Sequence, residues 1–205
     1  MGKFCRQATS LTQREKRNFP TLRKKKTRKG GPPGSNYAYR ERQAMDYKIE
    51  VKHSEPTLTA VIRSRVRPQE LSKFVPAACG EVWSFFRSAG LPKPGRHVAF
   101  YLGDGQGSVE VGAEVAEPFA GNDRIQCSQL PAGRVASTVH FGPYARLGEA
   151  HRAIREWCAE HGHRLSCVSW EIYGHWLDEW NQDPSKIRTD VYYLLKDDGA
   201  PSGSP

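Results

Sequence analysis

The sequence predicts an α+β domain in which duplicated β-α-β-β units form one antiparallel sheet, with two helices on one face and a concave cleft on the other. Three observations predict it. Extended runs rich in β-branched and aromatic residues are interrupted by two helical patterns. The order strand, helix, strand, strand occurs twice. Residues of like kind also recur at offsets between 72 and 80: Ala60-Val61-Ile62 answers Ala136-Ser137-Thr138, Trp83 answers Trp157, Gly90 answers Gly162, Tyr101 answers Tyr173 and Glu110 answers Asp190. One such unit cannot bury its own apolar face, so two copies pair their strands and share a helical cover.

In chain order, Tyr47, Ile49 and Val51 alternate with polar residues, and Leu58-Thr59-Ala60-Val61-Ile62 continues extended beyond a break at Ser54-Glu55-Pro56. A helix follows, with Pro76 at its first position, Ala78, Val82, Phe85, Phe86 and Ala89 on one face, and Gly90 as its stop. Two strands, His97 to Leu102 and Val109 to Val115, are joined by Gly103-Asp104-Gly105-Gln106-Gly107. No Lys-Ser/Thr pair follows that loop and the next element is a strand, so it reads as a hairpin turn rather than a phosphate cradle. In the second half, Arg134 to Phe141 is extended and Arg146 to His161 is a helix with Leu147, Ala150, Ile154, Trp157 and Cys158 on one side. Strands at Ser169 to Tyr173 and Thr189 to Leu195 complete it.

The domain boundaries fall near 45 and 196. Of the 31 Lys and Arg and 22 Asp and Glu in the chain, residues 1–44 hold thirteen and two, which leaves eighteen against twenty for the remainder. The basic character therefore belongs to the tail, which has no apolar period and is expected to be disordered. Three readings stay open for it: a solvated tail, an upstream read-through with Met45 as the true start, or weak contact with nucleic acid. Residues 197–205 read as a disordered Gly/Ser/Pro-rich end. Five cysteines, without a signal peptide or regular spacing, point to reduced thiols and a cytoplasmic location, and no apolar run is long enough for a membrane span.

The stretch that carries chemistry is Val168-Ser169-Trp170-Glu171-Ile172-Tyr173-Gly174. A carboxylate in an aromatic strand either faces water or sits in a pocket with partners, because burying it unpaired is costly. Alternation puts Glu171 and Tyr173 on one face and Trp170 and Ile172 on the other. Twist makes a sheet face concave, and a pocket between two pseudo-symmetric halves suits a small ligand. The expectation is that Trp170 lies beneath the helices and that Glu171 faces the open cleft. Glu171 could also pair with Arg188, and Asp190 on the adjoining strand would raise its pKa if both shared the cleft.

The segments His140-Phe141-Gly142-Pro143-Tyr144, Trp170-Glu171-Ile172-Tyr173 and Asp183-Pro184 through Lys186-Ile187-Arg188-Thr189-Asp190-Val191-Tyr192 resemble the GyrI-like domain. This is also the AraC-type effector-binding domain and the ligand module of MerR-class multidrug regulators. The resemblance covers residues 45–196 and implies a small-molecule receptor in which Glu171 anchors aromatic, cationic or amphipathic ligands. Tyr173, Tyr192, Tyr101, Tyr144 and Trp176 are the expected ring contacts, each able to add about 0.5–2 kcal/mol of cation–π attraction when desolvated. Strand tyrosines also commonly just pack, and for Tyr101 and Tyr192 both readings stay open. Some members of the family are hydrolases that open cyclopropane-bearing alkylators, and here Glu171 would be the acid–base catalyst. A third implied role is an interaction module for gyrase or a transcription regulator. No DNA-binding segment is legible in the folded part, and no cofactor is expected.

Cys158, His161, His163 and Cys167 have the residue types of a zinc site, but nothing in their spacing makes them converge, so no metal is expected. His161 is better explained by the helix C-terminus.

Overall fold

The computed structural model describes residues 46–175 and 177–196. The expected tails, residues 1–44 and 197–205, lie outside this range, as do Met45 and Trp176. Among the described residues are eight strands: β1 (Glu50–Ser54), β2 (Thr57–Arg65), β3 (His97–Tyr101), β4 (Ser108–Glu114), β5 (Gln126–Leu130), β6 (Gly133–Phe141), β7 (Leu165–Tyr173) and β8 (Arg188–Leu195). Two helices, α1 (Leu71–Ser88) and α2 (Leu147–Glu160), are each preceded by a short 3-10 turn, Pro68–Glu70 and Tyr144–Arg146. All strand pairs are antiparallel, and the order is β1-β6-β8-β7-β3-β4-β2-β5.

The α+β class and the duplication stand as expected, with three corrections. The break at Ser54-Glu55-Pro56 separates two strands that lie near opposite ends of the sheet order, so the repeated unit has an extra leading strand. Its counterpart β5, exposed at three of its five residues, has no apolar alternation to announce it. The third correction is that α1 starts at Leu71, five residues before Pro76. Pro76 lacks the N–H that would reach the Ser72 carbonyl, a loss confined to the helix's first turns.

The leading strands are exchanged. β1 pairs with β6 of the second unit, and β5 pairs with β2 of the first. Only Glu55 and Pro56 join β1 to β2, a reach of about 11 Å, yet five strands stand between them in the order. In a flat sheet they would be about 29 Å apart, so the sheet is curled until its ends approach. Leu130 of edge strand β5 shares one apolar cluster with Val135 of β6 and with Val98, Phe100, Trp170 and Ile172 of the middle strands. That cluster fills the inside of the curl.

The helices cover the other face. There the sheet presents small residues, Ala60, Ala99, Ala113 and Ala136 among Ile62, Val109, Val111 and Val191, and α1 and α2 pack Val82, Phe86, Leu147 and Ile154 onto them. Each such apolar side chain contributes about 1.5–3 kcal/mol by its burial. Small sheet residues let a helix approach closely, whereas the inside of the curl takes the bulky rings. Trp170 therefore lies on the face away from the helices, between Phe100 and Tyr192 at ring distances of 6.3 and 5.3 Å. This reverses the expected placement: Glu171 points toward the helices.

The β3–β4 connection is the expected hairpin turn, closed by the Asp104 carboxylate, which accepts from Gln106 N at 2.8 Å. Gly103 begins it at φ +61°, where an added β-carbon would overlap the Cys167 carbonyl of β7. Left-handed strain and a backbone collision combine there. Gly103→Ala should cost about 3 kcal/mol or more, read as a lowered urea midpoint with unchanged slope.

Candidate functional site

Register places Glu171 on the molecular pseudo-twofold. Ala99 of β3 and Glu171 of β7 are direct cross-strand partners, and the offset of 72 that relates Tyr101 to Tyr173 also relates Ala99 to Glu171. Each is thus both neighbour and counterpart of the other. Two glutamates here would face one another as like charges. With Ala99 on one strand, a single acid occupies the axis, flanked by the symmetric pair of tyrosines.

Glu171 is 4% exposed. Its Oε2 accepts from the Tyr101 hydroxyl at 3.2 Å and from the Tyr173 hydroxyl in a closer contact, while Oε1 lies 2.6 Å from Nε2 of His151 on α2. Burial, followed by the charge of Glu171, pushes the Tyr101 hydroxyl pKa upward, and burial raises that of Tyr173 well above the ordinary phenol value. Both hydroxyls therefore keep their protons and serve as donors. His151 continues the network through Nδ1 to the Tyr193 hydroxyl at 2.9 Å. Arg155, one turn beyond His151 on α2, donates to the same Tyr193 oxygen at 2.9 Å. The hydrogen-bonded chain thus runs from Arg155 through Tyr193 and His151 to Glu171.

Of the ring contacts expected from sequence, Tyr101 and Tyr173 are on the acid, and Tyr144 stands edge-on to Tyr173 at 5.7 Å with its own side chain half in solvent. Tyr192 is not with them. It lies on the inner face, stacked on Trp170 with Lys52 5.1 Å above its ring. Trp176 is outside the described residues. Arg188 bonds Asp190 rather than Glu171, at 2.9 Å, and both belong to the inner face, so the two carboxylates do not share a cleft. His151 and Tyr193 were missed by sequence reading. His151 did carry a signal, since positions 147, 151, 154 and 158 form a four-three-four stripe on the buried side of α2. A histidine in such a stripe needs a polar partner.

Two open hollows lie on the domain. One, of about 320 Å³, lies on the inner face among Lys48, Glu50, Lys52, Ser137, Arg188 and Asp190. The other, of about 570 Å³, lies beside Tyr101 between the start of α1 and the Gly103–Gly107 turn. Glu171 lines neither; the rings and His151 close over it.

Among the described residues, no group of His, Cys, Asp and Glu is placed to hold a metal ion. The His161 ring is 2.8 Å from the Trp157 carbonyl at the end of α2, a C-terminal cap. Of the described cysteines, Cys127 and Cys167 are exposed while Cys79 and Cys158 are buried, and burial pushes the Cys79 thiol up to about 12. Cys127 and Cys167 should react with a thiol reagent in the folded protein, and Cys79 and Cys158 only on unfolding; peptide mapping after timed alkylation would show it. No helix among the described residues is long and apolar enough to cross a membrane.

A curled, duplicated antiparallel sheet with one buried acid on its axis defines a class of domain built around a central polar site. The chain belongs to the GyrI-like small molecule binding domain family, whose sequence profile matches residues 47–196. Among solved structures, the chain is similar to the EcmrR C-terminal domain, with TM-score 0.59 and 20% identity over 74% of this chain and 99% of that one. EcmrR in a complex with DNA gives TM-score 0.61 and 19% identity over 73% of this chain and 57% of that one. SAV2435 bound to tetraphenylphosphonium gives 0.53 and 10% over 75% and 95%. These likenesses concern the fold. The comparison with curated sequences finds no match.

Proposed function

We propose that this domain binds aromatic, cationic or amphipathic small molecules and that Glu171 is their polar anchor. The observation that supports this most is a buried carboxylate on the pseudo-twofold whose partners are ring-bearing donors. An aromatic cation that reached Glu171 would meet the rings of Tyr101, Tyr173 and Tyr144, and its positive group would be attracted far more strongly once water is excluded. The family description and the tetraphenylphosphonium complex of SAV2435 make that cation the natural first probe. Isothermal titration of the full chain with tetraphenylphosphonium should give saturable binding. Absence of heat, together with absence of a thermal shift at millimolar ligand, would overturn the reading.

The hydrolase reading has one observation in its favour. The His151–Glu171 pair, 2.6 Å apart with hydroxyls on the second oxygen, is an arrangement capable of general acid–base work. Incubation with a cyclopropane-bearing alkylator should then yield a product heavier by one water, lost in Glu171→Gln. An unchanged mass leaves the domain a binder.

A further inference from the structure

The two halves differ where it matters for access. In the second half, Tyr144 opens the 3-10 turn before α2 and its ring packs edge-on to Tyr173, while the long connection from β7 to β8 lays Trp180 against Gly174. In the first half the offset of 76 that relates Ile62 to Thr138 places Pro68 where Tyr144 stands, and the β3–β4 connection is a short glycine-rich turn. The space that rings fill on one side is left as the 570 Å³ cavity on the other, bounded by Val66, Pro68, Leu71, Tyr101 and Val109. The Val66 N–H donates to the Gly107 carbonyl at 2.9 Å and holds the turn against the α1 entrance as the cavity's wall.

Tyr101 separates this cavity from Glu171. It lines the cavity and also donates to Glu171, at 3.2 Å, whereas its counterpart Tyr173 is 9% exposed, lies closer to the acid and is backed by Tyr144. We infer that the ligand enters and lodges on the Pro68 side alone, with its aromatic body in this cavity and its positive group reaching Glu171 as Tyr101 swings aside. At the mouth, Arg67 is paired with Glu70 through contacts of 3.1 and 2.8 Å, and the carboxylate of Asp104 stands on the same rim as Arg65. The apolar wall of Leu71, Val66 and Val109 selects for a ring system over a small polar amine.

This inference rests on Glu171 as anchor, and the test separates the two. Pro68→Tyr copies the second half's own residue into the first and should plug the cavity; Leu71→Trp plugs it from the helix side and carries the test if the first variant folds poorly. With tetraphenylphosphonium as probe and full chain throughout, each should bind at least tenfold more weakly than the parent, with melting temperature within a few degrees of it. If both plugged variants bind within twofold of the parent while Glu171→Gln has lost affinity, entry on this side is wrong and the anchor stands. Should Glu171→Gln also bind as the parent does, both fall.

Discussion

Replacing Glu171 by Gln is expected to weaken tetraphenylphosphonium binding by about ten- to a hundredfold. The substitution keeps the shape but removes the charge, and hydrogen bonds or contacts that involve a charged group are worth about 1.5–3 kcal/mol against about 1 for neutral ones. The amide also presents an N–H₂ in place of one carboxylate oxygen, either to the donating hydroxyls of Tyr101 and Tyr173 or to the ring nitrogen of His151. Titration calorimetry reads the loss. Triphenylphosphine oxide, which offers similar rings without a net charge, provides the control: its affinity should change by less than threefold. Equal loss for both ligands would mean that the substitution disturbs the rings rather than the electrostatic attraction, and no loss for the cation would remove Glu171 from the site.

The largest expected change in stability lies on the opposite face. Trp170 is 1% exposed and sits between Phe100 and Tyr192 inside the curl. Trp170→Ala removes a bulky side chain from a space that other strands cannot collapse to fill, because their backbones are already paired on both sides. The cost should be about 3–5 kcal/mol. For a folded region of this size that lowers the melting temperature by about 10 °C or more. Urea titration followed by tryptophan fluorescence checks it. A loss under 1 kcal/mol would show that the inner cluster is loosely packed.

Much of this was legible in the chain because it rests on local rules. Alternation correctly grouped Glu171 with Tyr173 and Trp170 with Ile172, and the 72-residue offset paired Tyr101 with Tyr173 before any register was known. What alternation does not encode is which group faces the helices. That depends on the sheet as a whole: four alanines on one face admit helices, and the bulky residues go where a curl needs filling. Tyr192 was misplaced for the same reason, since its register against Trp170 is set by long-range pairing. His151 lies on a helix stripe whose other members are apolar, and its partner Tyr193 is 42 residues distant in sequence. β5 was invisible because an edge strand with polar residues differs little from a loop.

The crossed-over placement of β1 and β5 bears on how the domain comes apart. Each half lends its first strand to the rim of the other, joined to its own body by a two-residue tether at Glu55-Pro56 or Pro131-Ala132. Pulling either half loose strips the borrowed border from its twin, so the pair is clasped like two interlocked hands and melts as one.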